Sequence, residues 1–354
     1  MRLNSHTLCE LVYGGAILGA GGGGSIEAGL VAGRRALAAG TPRLIPLSAL
    51  APDACLVTFS NVGTVMGKGG VAAARDYHTR ALELFSSLSK TRPDGIIPSE
   101  VGALAVTYGW LQSAQTNIPI VDAPCNGRAH PLGLMGSLGL HRQRTYKPIT
   151  VAVGGHAASY TELMIRTTVD RAATLVRAAV ARLGISLAVL RNPISAAYVR
   201  EHAAVGGLMY ARHVGRVFLA QRPHGLNALL NALCTTMGGR VVGAGRVASV
   251  SLANRHGFTL GEIVITRRNG ETLRLAVCNE YMSVGGGAAL HYAFPDLICV
   301  IGVKTCLPMN SGEVKAGQPV VVFGVPRSRL KLSSTMGDSQ LLHQIPKLIG
   351  DANM

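Results

Sequence analysis

Apolar and polar positions along the chain fall into strand, loop and helix units. His6 to Leu18 carries apolar residues at helical spacing behind Asn4 or Ser5, either of which suits an N-cap, and predicts a helix. Ile26 to Ala39, rich in Ala and Leu, predicts a second. Between them stands Gly19-Ala20-Gly21-Gly22-Gly23-Gly24-Ser25. Such a run costs backbone entropy and persists where the chain takes positive φ or something approaches its backbone closely. Its amides would lie at a helix N-terminus and favour an anionic group, so Gly21, Gly22, Gly23, Gly24 and Ser25 are predicted to form one wall of a ligand site.

Arg43 to Leu47 is a candidate strand, and Ala54 to Phe59 is a continuous apolar run suited to a strand covered on both faces. The latter leads into a glycine-rich loop, Ser60 to Gly70, where Asn61 is a candidate substrate contact, and then into a helix over about Val71 to Ser89. The unit recurs twice. Strand Gly95 to Pro98 is followed by loop Ser99 to Gly102 and helix Ala103 to Ala114; strand Ile118 to Val121 is followed by the polar loop Asp122 to Pro131. Loops at successive strand ends converge on one edge of such a sheet, which is where the site is expected. Lys147 to Val153 predicts a strand, and Arg171 to Leu183 a helix that stops at Gly184. Asn192-Pro193 reads as an N-cap with proline at the first helical position, opening helical sequence from Ile194 to about Met237 with breaks at Gly206-Gly207 and Pro223. From Gly239 the pattern turns to short β-rich runs: Arg240 to Val242, Gly245 to Leu252, Phe258 to Arg267, Glu271 to Val277, Leu297 to Val303 and Pro319 to Val325.

The expected fold is therefore an α/β N-terminal domain, 1–160, with Gly-rich loops at strand ends, then a helical and β-rich α+β domain, 161–354, completing the site.

Composition narrows the class. With 48% hydrophobic residues and mean hydropathy +0.31 the chain can bury large cores. Its apolar runs are broken before about 18 residues, so no membrane span is expected. The start lacks the basic and apolar regions of a signal peptide, and the seven cysteines are scattered with no C-x-x-C pair. Both point to a reducing, cytoplasmic setting. Net charge +16 comes mostly from arginines spread along the chain, and with 5% aromatics there is no basic stripe of the kind nucleic acid requires. The charge either reflects few acids in an Arg-rich chain or attracts an acidic small substrate. High apolar content predicts a homo-oligomer.

Gly19, Gly21 and Gly24 fit G-x-G-x-x-G, yet a helix rather than a strand precedes them and no acid closes the next strand. No nucleotide cofactor is expected.

Several stretches together resemble the S-methyl thiohydantoin desulfurase-like family, associated with hydantoinase/oxoprolinase genes. They are Leu18 to Gly24, Val121-Asp122 followed by Gly127-Arg128-Ala129 and Pro131, the turn Gly257 to Gly261, Asn279-Glu280-Tyr281, and Pro295-Asp296-Leu297-Ile298. The resemblance covers nearly the whole chain in order. It implies two domains acting on a small acidic ring of hydantoin or thiohydantoin type, by hydrolysis or desulfuration at a cyclic C–N or C–S centre. It also implies that Asn279 and Glu280 reach back to contact ring amides; a hairpin end held by Asn279 is the alternative. Pro124-Cys125-Asn126 and His130 depart from the family pattern.

Three chemistries suit these residues. A zinc or other divalent ion held by Asp122, Cys125, His130 and His156 would activate water, with Glu100 as general base and Arg128 on a substrate carboxylate. Alternatively, Cys125 is a nucleophile with Arg128 and His130 favouring its thiolate. In the third, the protein is a non-catalytic binding subunit or partner of a hydantoinase-type enzyme. Each residue also has an ordinary role open to it: Asp122 as a cap, His130 and His156 as loop residues, Arg128 paired with Glu100.

Overall fold

The structure, a computed structural model, describes residues 1–63, 77–155, 157–255, 257–287 and 289–345. The expected loop to Gly70, the expected helix start at Val71, and His156 lie outside the described residues.

The first sheet is mixed, in the order β1 (Leu44–Ile45), β4 (Ile120–Val121), β3 (Gly95–Pro98), β2 (Cys55–Val62), β7 (Leu187–Ser195), β5 (Ile149–Gly154), β6 (Thr161–Arg166). Strands β1 to β4 run parallel, so the loops leaving β2, β3 and β4 emerge on one edge; β7, β5 and β6 pair antiparallel. The second sheet is antiparallel throughout: β12 (Ala289–Ala293), β11 (Glu280–Gly286), β10 (Thr272–Cys278), β9 (Phe258–Arg267), β8 (Arg240–Arg255), β14 (Pro319–Val325), β13 (Leu297–Gly302). Strands β11 and β12 come back towards β13, curling it into a half-barrel.

Helices fill the space between. Helix α1 (Ser5–Leu18) begins in a capping box: Asn4 Oδ1 accepts from Thr7 N at 2.9 Å, while Thr7 Oγ1 accepts from Asn4 N at 2.8 Å. Helix α2 (Ile26–Ala39) is capped by Ser25 Oγ, which accepts from Ala28 N. Helices α3 (Tyr77–Ser89), α4 (Trp110–Thr116) and α5 (Val169–Leu183) flank the first sheet. After α6 (Ala196–His202), α7 (Gly207–Gln221) crosses α1 in backbone contact, a Cβ at Gly215 lying 1.7 Å from the Glu10 carbonyl oxygen. Helix α8 (Leu226–Met237) packs on the second sheet and α9 (Ser339–Leu342) lies near the end. One core joins Leu11, Ile17, Phe218 and Leu233 to Val106 and Trp110 on the first sheet's side and to Ile301 and Phe323 on the second's.

Three expectations need correction. The helix expected over Ala103 to Ala114 is a 3-10 turn, Ala105–Thr107, followed by α4, because Gly109 takes a positive φ of 85° and restarts the chain. Asn192-Pro193 does not cap a helix. It lies within β7, where Asn192 takes φ 55° and Pro193, lacking an N–H, sits beside a register shift against β2; Ser195 caps α6. The first sheet continues to Ser195 through β6 and β7, so a division at residue 160 cuts it.

Candidate active site between the two sheets

A cavity of about 350 Å³ opens where the C-terminal ends of the parallel strands face the β10–β11 turn. Its walls are Ser60 to Gly63 from β2, Ser99 and Glu100 after β3, His130, Pro131 and Gly133 after β4, and Gly23, Gly24 and Ser25. Arg177 of α5, Arg191 of β7, Asn279 and Glu280, and the segment around Asn310 to Glu313 complete it.

The glycine run is held from both sides. Gly23 O accepts from Leu104 N at 2.9 Å, Gly21 O accepts from Ser311 N, and Ala20 O accepts from Tyr281 N at 2.8 Å. A Cβ on Gly23 would lie 2.5 Å from the Gly102 Cα, and one on Gly22 would lie 2.0 Å from Glu280 Oε1. Gly21 and Gly22 thus seat β11 against the first domain, while Gly23, Gly24 and Ser25 face the cavity.

Glu100 is the carboxyl of the first domain. Its Oε2 accepts from His130 N at 3.2 Å and lies 3.8 Å from His130 Nε2. Burial pushes its pKa up to about 7, against the pull of the His130 N–H and the charges of Arg191 and Arg128. His130 is pushed down to about 4 by burial, with Arg191 adding to the fall, so its ring is neutral. Because Nε2 lies 3.4 Å from the Ser99 carbonyl oxygen, which only accepts, the proton belongs on Nε2. Nδ1 is left as an unpartnered buried acceptor.

Arg191 is 6% exposed, and its Nε has no hydrogen-bond partner. No carboxylate among the described residues lies within ion-pair distance of it. Burial lowers its pKa while Cys125 and Glu100 raise it. Arg177 is held by Gly257 O at 2.8 Å over the Phe258 ring. Glu280 is 3% exposed with Oε2 unpartnered, and burial together with Glu100 raises its pKa well above the carboxylate range. Ser60 Oγ is a further unpartnered atom in the wall. Buried polar groups are ordinarily paired, so this convergence of open donors and acceptors describes a place for a polar ligand.

The expected residues separate into two sets. Glu100, His130, Asn61, Gly23, Gly24, Ser25, Asn279 and Glu280 line one cavity. Asn61 is hydrogen-bonded to the Tyr108 phenol, and Asn279 also holds its own turn, Oδ1 accepting from Thr259 N at 2.9 Å. Three others are elsewhere. Asp122 caps α7, its Oδ1 accepting from Leu208 N at 2.8 Å and Met209 N at 3.3 Å. Cys125 is fully buried behind the wall with its Sγ 3.3 Å from Thr58 Oγ1, and burial pushes the thiol up to about 11. Arg128 is fully buried beneath the Phe294 ring, giving Nε to Ala129 O and Nη1 to Pro295 O and Asp296 O and leaving Nη2 unpartnered among the described residues. It is not among the residues lining the cavity. Among the described residues no three His, Cys, Asp or Glu side chains are placed to hold a metal ion. Asp122, Cys125 and His130 do not converge on a shared ligand point, so these three do not fit a zinc ion.

Arg191 and Arg177 were missed in the sequence. The signal for Arg191 was a single charged residue closing the apolar run Leu187 to Leu190, obscured by reading Asn192-Pro193 as a helix cap.

The profile "S-Me-THD-like, N-terminal domain" matches residues 6–162, and "S-Me-THD-like, C-terminal domain" matches residues 144–336. The chain is also similar to the crystal structure of a protein from Chromobacterium violaceum, with a TM-score of 0.71 at 18% identity, over 100% of this chain and 98% of that one. At that identity the likeness is one of fold. No curated protein matches the chain.

Proposed function

The chain belongs to the S-Me-THD-like family, and we propose that it is an enzyme acting on a small acidic ring of hydantoin or thiohydantoin type, adding water at the ring carbon that carries sulfur or lies between two nitrogens. One observation carries the reading: a buried guanidinium, Arg191, unpaired among the described residues, and a partly buried carboxyl raised to about 7, Glu100, face the same cavity. A buried cation without a partner is costly unless an anion joins it, so Arg191 anchors the acidic group of the ring. Glu100, held by the His130 N–H, takes a proton from water; its raised pKa makes it a stronger base near neutral pH than an ordinary carboxylate. The cavity volume is at the lower end for ligand sites and suits a single ring.

The test is thiol release from an S-methyl thiohydantoin bearing a carboxylate, followed with a thiol-reactive dye. Wild type should turn it over, and Glu100→Gln should lose about 10²–10⁴-fold. If the ring raises the melting temperature and no thiol or ring-opened product appears, the protein is a binding subunit, as expected of a hydantoinase partner, and the catalytic reading is wrong.

A further inference from the structure

Glu280 enters the cavity from the second sheet, opposite Glu100. Its position is set by backbone: Tyr281 N donates to Ala20 O, and Gly22 supplies bare backbone where the carboxyl lies, with room for no Cβ. At 3% exposure, Glu280 has no ion-pair partner within 4.0 Å among the described residues, and Oε2 has no hydrogen bond. A buried carboxylate so placed would be an uncompensated charge, whereas a buried carboxylic acid needs only an acceptor for its proton. Glu100 pairs its Oε2 with the backbone N–H of His130, whereas Glu280, whose own backbone N–H also reaches its carboxyl, leaves Oε2 open. The charged and titratable groups acting on Glu280 are Glu100, Arg128, Arg177 and Cys278; of the two arginines, neither lies within ion-pair distance, Arg128 giving Nε and Nη1 to carbonyl oxygens and Arg177 bonding Gly257 O.

Building on the reading above, we infer that Glu280 is the proton donor of the reaction, delivering its proton from Oε2 to the atom that leaves the ring carbon while Glu100 acts as base from the opposite wall. Two carboxyls facing one cavity cannot both ionise easily, and their unequal hydrogen bonding sorts them into base and acid. The reaction of an S-methyl ring begins with attack by water. The water oxygen bonds to the ring carbon, giving one proton to Glu100 and the other to the ring nitrogen. The carbon–sulfur bond breaks with its electron pair passing to sulfur, which takes the Glu280 proton and departs as methanethiol, leaving a ring carbonyl. Glu100 has then gained one proton and Glu280 lost one, and exchange through solvent after product release restores both.

The experiment compares wild type, Glu280→Gln and Glu100→Gln on two rings differing only in the leaving group, S-methyl and S-(4-nitrophenyl). The aryl thiolate departs without a proton. Glutamine keeps the shape and a hydrogen-bond donor but has no proton to transfer. Glu280→Gln should therefore lose about 10²-fold or more on the S-methyl ring and less than about tenfold on the S-aryl ring. Glu100→Gln should lose comparably on both. Equal losses by Glu280→Gln on the two rings, or none on either, overturn the assignment while leaving the function standing. Failure of wild type to turn over either ring overturns both.

Discussion

Replacing Gly22 by alanine tests the seat of Glu280 without touching an ionisable group. The new Cβ would lie 2.0 Å from Oε1, 2.6 Å from Cδ and 2.7 Å from Cγ of Glu280. Ordinary contact begins near 3.4 Å, so the oxygen must retreat by about 1.4 Å, from 2.0 to 3.4 Å. It cannot retreat into solvent, because the side chain is almost wholly buried. Overpacking of this kind costs roughly 1–3 kcal/mol, which at roughly 2 °C per kcal/mol lowers the melting temperature by a few degrees. Displacing a reacting group by about 1 Å costs about 10²-fold. The expected result is a folded protein, a modest fall in melting temperature and a kcat/KM on the S-methyl ring reduced about 10²-fold. Gly337→Ala is the control: it is exposed, nothing lies within 4 Å of its added Cβ, and it should behave as wild type. Wild-type kcat/KM in Gly22→Ala, with the fall in melting temperature present, would show that moving this carboxyl does not matter and refute the reasoning.

Arg191→Met removes an unpaired buried charge, so the ligand-free protein should melt a few degrees higher, reflecting about 1–3 kcal/mol, while affinity for a carboxylate-bearing ring falls about 10²-fold. A lower melting temperature or unchanged affinity would show that Arg191 has a partner in the free protein. Glu100 has a folded pKa near 7 against 4.5 ordinarily, so the folded state holds its proton more tightly. Its contribution to stability is full below about pH 4.5 and is lost as pH rises to about 7, roughly 3 kcal/mol in all. Denaturant titrations should show this slope flattened in Glu100→Gln, and wild-type kcat/KM should rise through about pH 7; a slope unchanged by the substitution sinks the assignment. Cys125→Ala should keep kcat/KM within about threefold, and alkylation of Cys125 should await unfolding, since its thiol is buried with a pKa near 11. Rapid labelling that abolishes activity would restore Cys125 as a nucleophile.

Local patterning made much of the fold legible. The helix Ile26–Ala39 and the strands Gly95–Pro98, Phe258–Arg267 and Pro319–Val325 have the ends that their periodicity, caps and turns predict. Where pairing partners decide, local signals failed. Arg191-Asn192-Pro193 has the chemistry of a helix start, yet pairing of Arg191 with Thr58 and of Ile194 with Leu56 on β2 holds it in strand. The site divides likewise. Glu100 and His130 were visible as polar residues at strand ends, whereas the grouping of Asp122, Cys125 and Arg128 with them rested on closeness in sequence. Over nine residues of irregular loop that says little about direction: Asp122 faces α7, Cys125 faces Thr58 and Arg128 faces the Pro295 turn. Glycine identity marked a place of close approach without saying which glycine meets ligand and which meets Glu280.

The glycine run is bonded to Leu104 on one side and to Tyr281 and Ser311 on the other, so the two halves of the chain share it as a common hinge pin. Neither half can be inherited alone with its chemistry: the proposed base comes with one, the inferred acid with the other, and their spacing is set by the seven residues between α1 and α2. A single insertion in that run would leave both sheets intact and uncouple them. Drift in substrate preference is therefore expected in the loops that ring the cavity, while the length of Gly21 to Ser25 stays fixed.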